Sequence, residues 1–228
     1  MISVAIDGPS GAGKSSLAKR LAKELGYVYV DTGAMYRAIG LYVLRAGLNP
    51  GDCQQVESVL NQIQIELRYQ DGAQRVLLCG EDVSEAIRQE QVGMATSALA
   101  AYPSVRAFLL DLQRNMAKSH NVLMDGRDIG TVILPNATLK IFLTASATAR
   151  AKRRLLELEQ KGEQATFETV LKDIEQRDEQ DMNRKEAPLR RAEDAVLVDT
   201  SDLDFEQSFT ALRDLILQRV AQGQAKEE

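Results

Sequence analysis

A glycine-rich stretch near the start of the chain carries the residue types needed to hold phosphate groups. It reads GPSGAGKSS over residues 8–16, follows an apolar run and leads into a helical pattern. The glycines leave backbone N–H groups accessible to phosphate oxygens, Lys14 supplies a positive charge, and the Ser15 hydroxyl can ligate Mg²⁺. We therefore predict a nucleoside triphosphate along this loop, with the helix N-terminus adding favourable donors. The residues assigned to it are Gly8, Pro9, Ser10, Gly11, Ala12, Gly13, Lys14, Ser15 and Ser16.

Triphosphate binding alone leaves three classes of protein open: a GTPase switch, a motor or regulatory ATPase, and a small-molecule kinase. A GTPase should carry an N-K-x-D motif, and the nearest string, NRKE at 183–186, does not match it. A motor ATPase usually needs partner elements that 228 residues barely accommodate. A kinase needs a second, positively charged site for an acceptor.

Two segments after predicted strands supply candidates for that second site. Arg37 lies one turn into the helix that begins in DTGAMYRA (31–38), and Arg127 lies in MDGRDIG (124–130). In open α/β folds, ligands bind at the carboxyl ends of the strands, where both segments begin. Asp125 is placed where a carboxylate would hold Mg²⁺ directly or through water. A polar turn and a capped helix start are the plain alternatives.

The helical pattern at 166–184 changes character along one face. Its apolar stripe, Phe167, Val170, Leu171 and Ile174, continues at the same period into Arg177, Asp178, Asp181 and Arg184. A solvated helix end would explain this change. Guanidinium groups on a buried face are also well suited to a phosphate.

Composition and periodicity predict the fold class. The net charge of −5 argues against a nucleic-acid binder, and the N-terminus lacks the pattern of a signal peptide. Two isolated cysteines fit a cytoplasmic setting. Apolar runs alternate with amphipathic helices, which predicts a doubly wound α/β sheet. The predicted strands are 2–6, 27–30, 121–124, 139–144 and 195–198, and the predicted helices are 14–25, 33–46, 89–118, 147–160, 166–184 and 204–221. Residues 63–83 predict an antiparallel hairpin around Asp71-Gly72.

Five segments in this order resemble the bacterial cytidylate kinases: IDGPSGAGKSS, DTGAMYRA, GEDVSEAIR, MDGRDIGTVILPNA and RDEQDMNRKEAPL. The resemblance covers nearly the whole chain and implies the P-loop nucleoside-monophosphate kinase fold, as one kinase domain over 1–228. Its core would comprise 1–50, 119–150 and 187–228, with a small antiparallel acceptor-binding insert at about 51–118 and a helical lid at about 151–186. Many members have Gly-Lys-Gly-Thr where this chain has Gly13-Lys14-Ser15-Ser16, and Ser15 keeps a hydroxyl available.

The resemblance also implies roles for individual residues. Lys14, Asp125, Arg127 and Arg184 would be catalytic, with Mg²⁺ at Ser15 and Asp125. Arg37, Arg127 and Arg184 would hold the phosphate of the acceptor, with Thr32 nearby. Ser97, Arg106 and Asp128 would face the cytosine, and Arg177 and Asp181 the sugar hydroxyls. Arg150, Arg153 and Arg154 would meet ATP, although a solvated helix face paired with glutamates is the plain alternative.

The implied activity is phosphorylation of CMP and dCMP to the diphosphates, with ATP as phosphoryl donor and Mg²⁺ as cofactor. The expected partners are these small nucleotides, with no nucleic acid, membrane or obligate protein partner. A kinase for another nucleoside monophosphate such as GMP is the nearest alternative. A non-catalytic nucleotide-binding regulator is a further one.

Overall fold

The computed structural model describes residues 1–70, 73–160 and 162–224 and contains two sheets. In chain order the strands are β1 (Ser3–Asp7), β2 (Val28–Asp31), β3 (Ile65–Gln70), β4 (Ala73–Leu78), β5 (Glu81–Asp82), β6 (Val122–Gly126), β7 (Leu139–Thr144) and β8 (Val196–Asp199). The α-helices are α1 (Lys14–Leu25), α2 (Thr32–Arg45), α3 (Cys53–Val59), α4 (Glu90–Leu99), α5 (Pro103–Ser119), α6 (Ala147–Gln160), α7 (Phe167–Asn183) and α8 (Phe205–Gln224). Short 3₁₀ turns lie at Leu60–Gln62 and Ala86–Arg88, and a π-helical turn at Ile129–Ile133.

The larger sheet has five strands in the order β2-β6-β1-β7-β8. The pairs β1–β6, β1–β7 and β7–β8 are all parallel, and Ile6 is in register with both Asp125 and Ile141. Because β1 is central and its flanking strands come later in the chain, the carboxyl ends of β1 and β6 form a topological switch point, where ligands bind in such folds. The predicted doubly wound α/β class, with a small antiparallel sheet, is confirmed.

The apolar residues of the central strands are buried against α1 and α8. Val4 and Ile6 of β1 pack in one cluster with Leu21 of α1 and with Phe209 and Leu212 of α8. The alternation of β-branched strand residues with a 3.6-residue helical stripe therefore gives the core that the sequence predicts. Glycines close both ends of α1, with Gly13 and Gly26 in the left-handed region at φ +84° and +68°.

The second sheet has the order β3-β4-β5. The strands β3 and β4 pair antiparallel, as the hairpin prediction requires, and β5 adds a short antiparallel third strand beside β4. The predicted turn residues Asp71 and Gly72 lie outside the described residues. Val76 and Leu78 of β4 are buried.

The chain divides into two compact units, residues 1–29 with 120–228 and residues 30–119. The first contains the P-loop stretch, α6, α7 and α8. The second contains α2 to α5 and the small sheet. It includes the whole of the expected insert at 51–118 together with residues 30–50. The functional division into core, acceptor-binding insert and lid stays a prediction.

The prediction of one helix over 89–118 is wrong, because the segment forms two helices. The helix α4 ends at Leu99, and α5 begins at Pro103. Proline has no N–H to donate and a fixed φ, so it is unfavourable inside a helix and well suited to its first turn. The short helix α3 is not among the predicted ones. Asp52 caps it by accepting hydrogen bonds from the N–H groups of Gln54 and Gln55.

The helices α6 and α7 share a small apolar cluster of their own. Ala151 and Leu158 of α6 pack with Val170 and Ile174 of α7. Thr166 caps α7 through a hydrogen bond from the N–H of Thr169. This pair of helices covers most of the segment expected to be a lid.

Candidate active site

The P-loop follows β1 directly and leads into α1. Gly8 has φ +152°, and a Cβ placed there would lie 1.9 Å from the carbonyl oxygen of Leu143 on β7. No side chain fits at that distance, so glycine is required at this position for a steric reason. The loop backbone thereby stays close to the sheet, with the N–H groups at the start of α1 available to an anion.

Lys14, the first residue of α1, is a buried cation. It is 6% exposed, and its Nζ donates a hydrogen bond to the Pro9 carbonyl oxygen at 2.7 Å. Burial and, to a smaller extent, the positive charge of Arg127 lower the pKa of Lys14, while the charges of Asp125 and Asp7 raise it, and the result is a pKa of about 7. A phosphate beside Lys14 would therefore supply the negative charge that its surroundings do not fully provide.

Ser15 and Asp125 bring two oxygen ligands together. The Ser15 hydroxyl donates to Asp125 Oδ2 at 2.8 Å, and the Tyr29 hydroxyl donates to Asp125 Oδ1 at 2.9 Å. Hydroxyl and carboxylate oxygens are what Mg²⁺ takes, usually with phosphates and waters completing its octahedron. In the described part of the chain, no group of three or more histidines, cysteines or carboxylates could hold a metal ion. The pair therefore fits a Mg²⁺ held mainly by phosphates.

Four residues expected to bind the acceptor form one ion-pair cluster. Arg127 Nε donates to Asp181 Oδ2 at 2.7 Å. Arg184 lies between two carboxylates, with Asp128 Oδ1 at 3.7 Å from Nη2 and Asp181 Oδ1 at 3.8 Å from Nη1. The structure thus brings Arg127, Asp128, Asp181 and Arg184 together from the end of β6 and the end of α7. We call this group the acidic–basic cluster.

Arg177 lies one turn before Asp181 on α7. The side chain is exposed, yet loss of hydration at its guanidinium lowers the pKa of Arg177, and the charge of Arg127 lowers it further. Arginine keeps its proton in spite of such shifts. Arg177 therefore remains a cation, and its positive charge adds to that of Arg127.

Asp7, the last residue of β1, anchors the turn that follows Asp128. Its Oδ1 accepts the N–H of Ile129 and its Oδ2 the N–H of Gly130, both at 2.7 Å. Asp7 is 5% exposed, and burial raises its pKa to about 6 even though both hydrogen bonds favour the carboxylate. The value of about 6 already includes the charge of Asp128, which raises the pKa, and the charge of Lys14, which lowers it.

We expect the stability difference between the wild type and Asp7→Asn to depend on pH. The native pKa lies above the unfolded value, so the carboxylate costs the native state little below pH 4 and the full amount above about pH 6. From pH 4 to 6 the free energy of unfolding should shift in favour of the asparagine variant, by up to about 3 kcal/mol at about 1.4 kcal/mol per pKa unit. Urea unfolding of both proteins at each pH measures it. A difference that does not change with pH would contradict the raised pKa.

The three arginines assigned to ATP have different surroundings. Arg150 is buried, donates to the carbonyl oxygens of Ala145 and Ser10 at 2.8 and 2.9 Å, and pairs with Asp178. Arg153 donates to the carbonyl oxygens of Thr200 and Leu203. Arg154 is exposed and pairs with Glu157 at 3.2 Å, as the plain helix-face alternative requires. The structure therefore connects Arg150 to the P-loop, Arg153 to the segment after β8, and Arg154 to neither.

The remaining acceptor candidates lie in the unit formed by residues 30–119. Asp31 caps α2 by accepting the N–H of Ala34, and Thr32, the first residue of that helix, is buried. One turn on, Arg37 donates to the Ile87 carbonyl oxygen at 2.9 Å and passes over Gly93, where a Cβ would lie 3.3 Å from its guanidinium.

Ser97 lies on α4 and Arg106 on α5. Ser97 donates to the Gly93 carbonyl oxygen at 3.3 Å. The Arg106 guanidinium lies 5.9 Å from the centre of the Tyr36 ring and donates to the Ala100 carbonyl oxygen. Arg37 and Ser97 thus both lie beside Gly93 of α4, Arg106 lies beside Tyr36 of α2, and all three belong to one unit.

A family model of the cytidylate kinases matches residues 4–218. The chain belongs to the cytidylate kinase family. Curated relatives include the cytidylate kinase of Caldicellulosiruptor bescii, 52% identical over 206 residues that cover 90% of this chain and 91% of the relative. Those of Citrifermentans bemidjiense and Mycolicibacterium paratuberculosis are 47% and 48% identical, and each alignment covers at least 94% of both chains. The predicted family membership, and with it a phosphotransferase of the kinase type, is confirmed.

Solved structures show the fold alone. An uncharacterized protein from Eubacterium ventriosum superposes with a TM-score of 0.50 at 12% sequence identity, covering 95% of this chain and 98% of that one.

Among the helices in the described residues of this cytidylate kinase family member, none has the length and apolar character that spanning a membrane requires.

Asp7 and Tyr29, which the sequence did not single out, and Asp178, to which it assigned no role, contact the predicted site residues. Asp7 anchors the turn after Asp128, Tyr29 donates to Asp125, and Asp178 pairs with Arg150. Asp7 directly precedes the P-loop, and Asp178 belongs to the charged face of α7, so both positions carry a sequence signal. The sequence predicts Tyr29 to be a buried strand residue and contains no indication of its hydrogen bond to Asp125.

Proposed function

We propose that this protein phosphorylates CMP and dCMP to their diphosphates by direct transfer of the γ-phosphoryl group of ATP, with Mg²⁺ as cofactor. Membership of the cytidylate kinase family carries the proposal. The geometry supports it, because a phosphate-binding loop and two arginines, Arg127 and Arg184, meet in one unit with carboxylates beside them. The cytoplasmic setting suggested by the cysteine content is part of the proposal.

On the donor side, the P-loop N–H groups and Lys14 bind the β- and γ-phosphates of ATP. Phosphoryl transfer needs in-line positioning and neutralisation of developing charge more than covalent help. Lys14 and Arg127 are close enough for each charge to affect the other, so a phosphoryl group that contacts both would relieve their repulsion. When bound at Ser15 and Asp125, Mg²⁺ supplies further positive charge to the phosphate oxygens.

On the acceptor side, Arg37, Arg127 and Arg184 hold the CMP phosphate, with Thr32 nearby. Asp128, Ser97 and Arg106 bind the base, and Arg177 and Asp181 the sugar. The ion pairs of the acidic–basic cluster hold the guanidinium groups in place before the nucleotide arrives, which reduces the conformational entropy lost on binding. Closure of α6 and α7 then excludes water from the transfer and limits hydrolysis of ATP.

Two carboxylates one turn apart on α7 give a matched test of this assignment. Asp181 contacts Arg127 and Arg184, whereas Asp178 contacts Arg150, which holds the Ser10 carbonyl of the P-loop. Asp181→Asn and Arg177→Ala should weaken CMP binding at least tenfold more than ATP binding, and Asp178→Asn should do the reverse. These factors correspond to about 1.4 kcal/mol.

Calorimetric titration of each variant with CMP and with a non-hydrolysable ATP analogue measures the two effects. Equal losses of affinity for both nucleotides in Asp181→Asn would contradict the role of Asp181 in binding the acceptor. The reaction itself is tested by ³¹P NMR of a mixture of CMP, ATP and Mg²⁺. It should show CDP and ADP forming in equal amounts, and release of inorganic phosphate without CDP would contradict the proposed function.

A further inference from the structure

The hydroxyl of Tyr29 lies against the carboxylate proposed to hold Mg²⁺. Tyr29 is on β2, is 6% exposed, and packs in the main core cluster with Leu21 and Leu123. Its hydroxyl donates to Asp125 Oδ1 at 2.9 Å. A buried tyrosine hydroxyl needs a hydrogen-bond partner, and here the partner is a functional carboxylate rather than a backbone carbonyl.

The two oxygens of Asp125 are thereby distinguished. Oδ1 accepts the Tyr29 hydroxyl, and Oδ2 accepts the Ser15 hydroxyl of the P-loop. Rotation of a carboxylate about its terminal torsion is broad and roughly two-fold, so packing alone fixes it poorly. A hydroxyl donor on one oxygen fixes the plane of the group and directs the other oxygen towards Ser15.

The donor is also neutral. An arginine or lysine in the place of Tyr29 would fix the carboxylate equally well but would compete with a metal ion for its negative charge. A tyrosine hydroxyl is an uncharged donor, so it fixes the carboxylate without adding a positive charge. The arrangement therefore leaves the charge of Asp125 available to a cation at Ser15.

We propose that Tyr29 is a positioning residue for Mg²⁺, acting through Asp125. The inference rests on the proposed use of Mg·ATP and extends it to a residue that is not among those proposed to bind nucleotide or metal. Outer-sphere partners of metal ligands typically contribute tenfold to a hundredfold to metal affinity. Tyr29→Phe removes a single hydroxyl and leaves the ring in the core, so the fold should persist.

The test uses ADP without CMP, so that nothing turns over. Calorimetry measures ADP affinity in EDTA and over a series of Mg²⁺ concentrations. For Tyr29→Phe we expect the same ADP affinity as the wild type in EDTA. The Mg²⁺ concentration that gives half of the metal-dependent increase in ADP affinity should be about tenfold higher than in the wild type. Tyr27→Phe is the matched control, because Tyr27 packs against the same core cluster and the substitution also removes one tyrosine hydroxyl. Its ADP affinity and Mg²⁺ dependence should match those of the wild type.

A double-mutant cycle with Asp125→Asn tests the route of the effect. If Tyr29 acts through Asp125, adding Tyr29→Phe to Asp125→Asn should not change the Mg²⁺ dependence further. An unchanged Mg²⁺ requirement in Tyr29→Phe would overturn the proposal, and so would an equal loss of ADP affinity in EDTA. Since the assay contains no CMP, failure of the proposed acceptor would leave these results unaffected.

Discussion

Lys14→Met is expected to reduce kcat for CMP phosphorylation by about 10³-fold and to raise the melting temperature of the protein at pH 7. Removing one preorganised charge from developing transition-state charge typically costs 10²–10³-fold in kcat. Stability should increase because the cation is desolvated, which lowers the pKa of Lys14 to about 7. Methionine has a similar length and no charge to desolvate.

The pH dependence of that stabilisation follows from the direction of the shift. The native pKa is below the unfolded value, so the unfolded state binds more protons between pH 7 and about 10.5. The cost of Lys14 is therefore full at and below pH 7 and disappears as the pH approaches 10.5. The gain from Lys14→Met should shrink accordingly over that range.

Steady-state kinetics and thermal unfolding at several pH values measure both effects. Lys23→Met is the control, since Lys23 is exposed in the last turn of the same helix and should change neither quantity much. Near-normal turnover in Lys14→Met would contradict the role of the lysine. A lower melting temperature at pH 7 would contradict the cost of its burial.

Asp128→Asn is expected to narrow the preference for CMP over UMP, measured as the ratio of kcat/KM values, by about tenfold to a hundredfold. A carboxylate only accepts hydrogen bonds, so it suits the 4-amino group of cytosine and repels the 4-carbonyl of uracil. A good base contact is worth about 1–3 kcal/mol of discrimination. An asparagine amide can present its N–H₂ to uracil, so the loss should fall mainly on CMP.

Asp181→Asn separates base recognition from an indirect effect through Arg184. Both carboxylates lie within 4 Å of the Arg184 guanidinium, at 3.7 Å for Asp128 and 3.8 Å for Asp181. If Asp128 reads the base, only Asp128→Asn should change the CMP/UMP ratio. The same change in both variants would assign the effect to Arg184. A wild-type ratio in Asp128→Asn would leave the selection to Ser97 and Arg106.

Local signals in the sequence predict the strand–loop–helix of the P-loop and several elements to the residue. The helix α1 at 14–25, the strand β7 at 139–144 and the helix α6 at 147–160 have the predicted bounds. The error at 89–118 follows from reading periodicity across Pro103, whose preference for a first helical turn already marks the break. The short helix α3 has too few turns to show a period.

The contacts of the candidate site depend on pairs that are distant in the chain. Sequence spacing groups Arg177, Asp181 and Arg184 on one face of the helix predicted at 166–184, and the structure brings Asp181 and Arg184 to Arg127 and Asp128. Sequence spacing gives no reason to pair Tyr29 with Asp125, 96 residues away, or Asp7 with Gly130, 123 residues away. These pairs arise from strand order and register, which only the folded sheet specifies.

A panel of nucleoside monophosphates tests the central claim most directly. The measurement is ATP consumption coupled to nucleoside diphosphate formation, as kcat/KM, with CMP, dCMP, UMP, GMP and AMP under one set of conditions with Mg²⁺. We predict the highest values for CMP and dCMP, a value for UMP lower by at least about tenfold, as expected from a single base contact, and little reaction with the two purines. GMP as the best acceptor, or binding of ATP without transfer to any of the five, would contradict it.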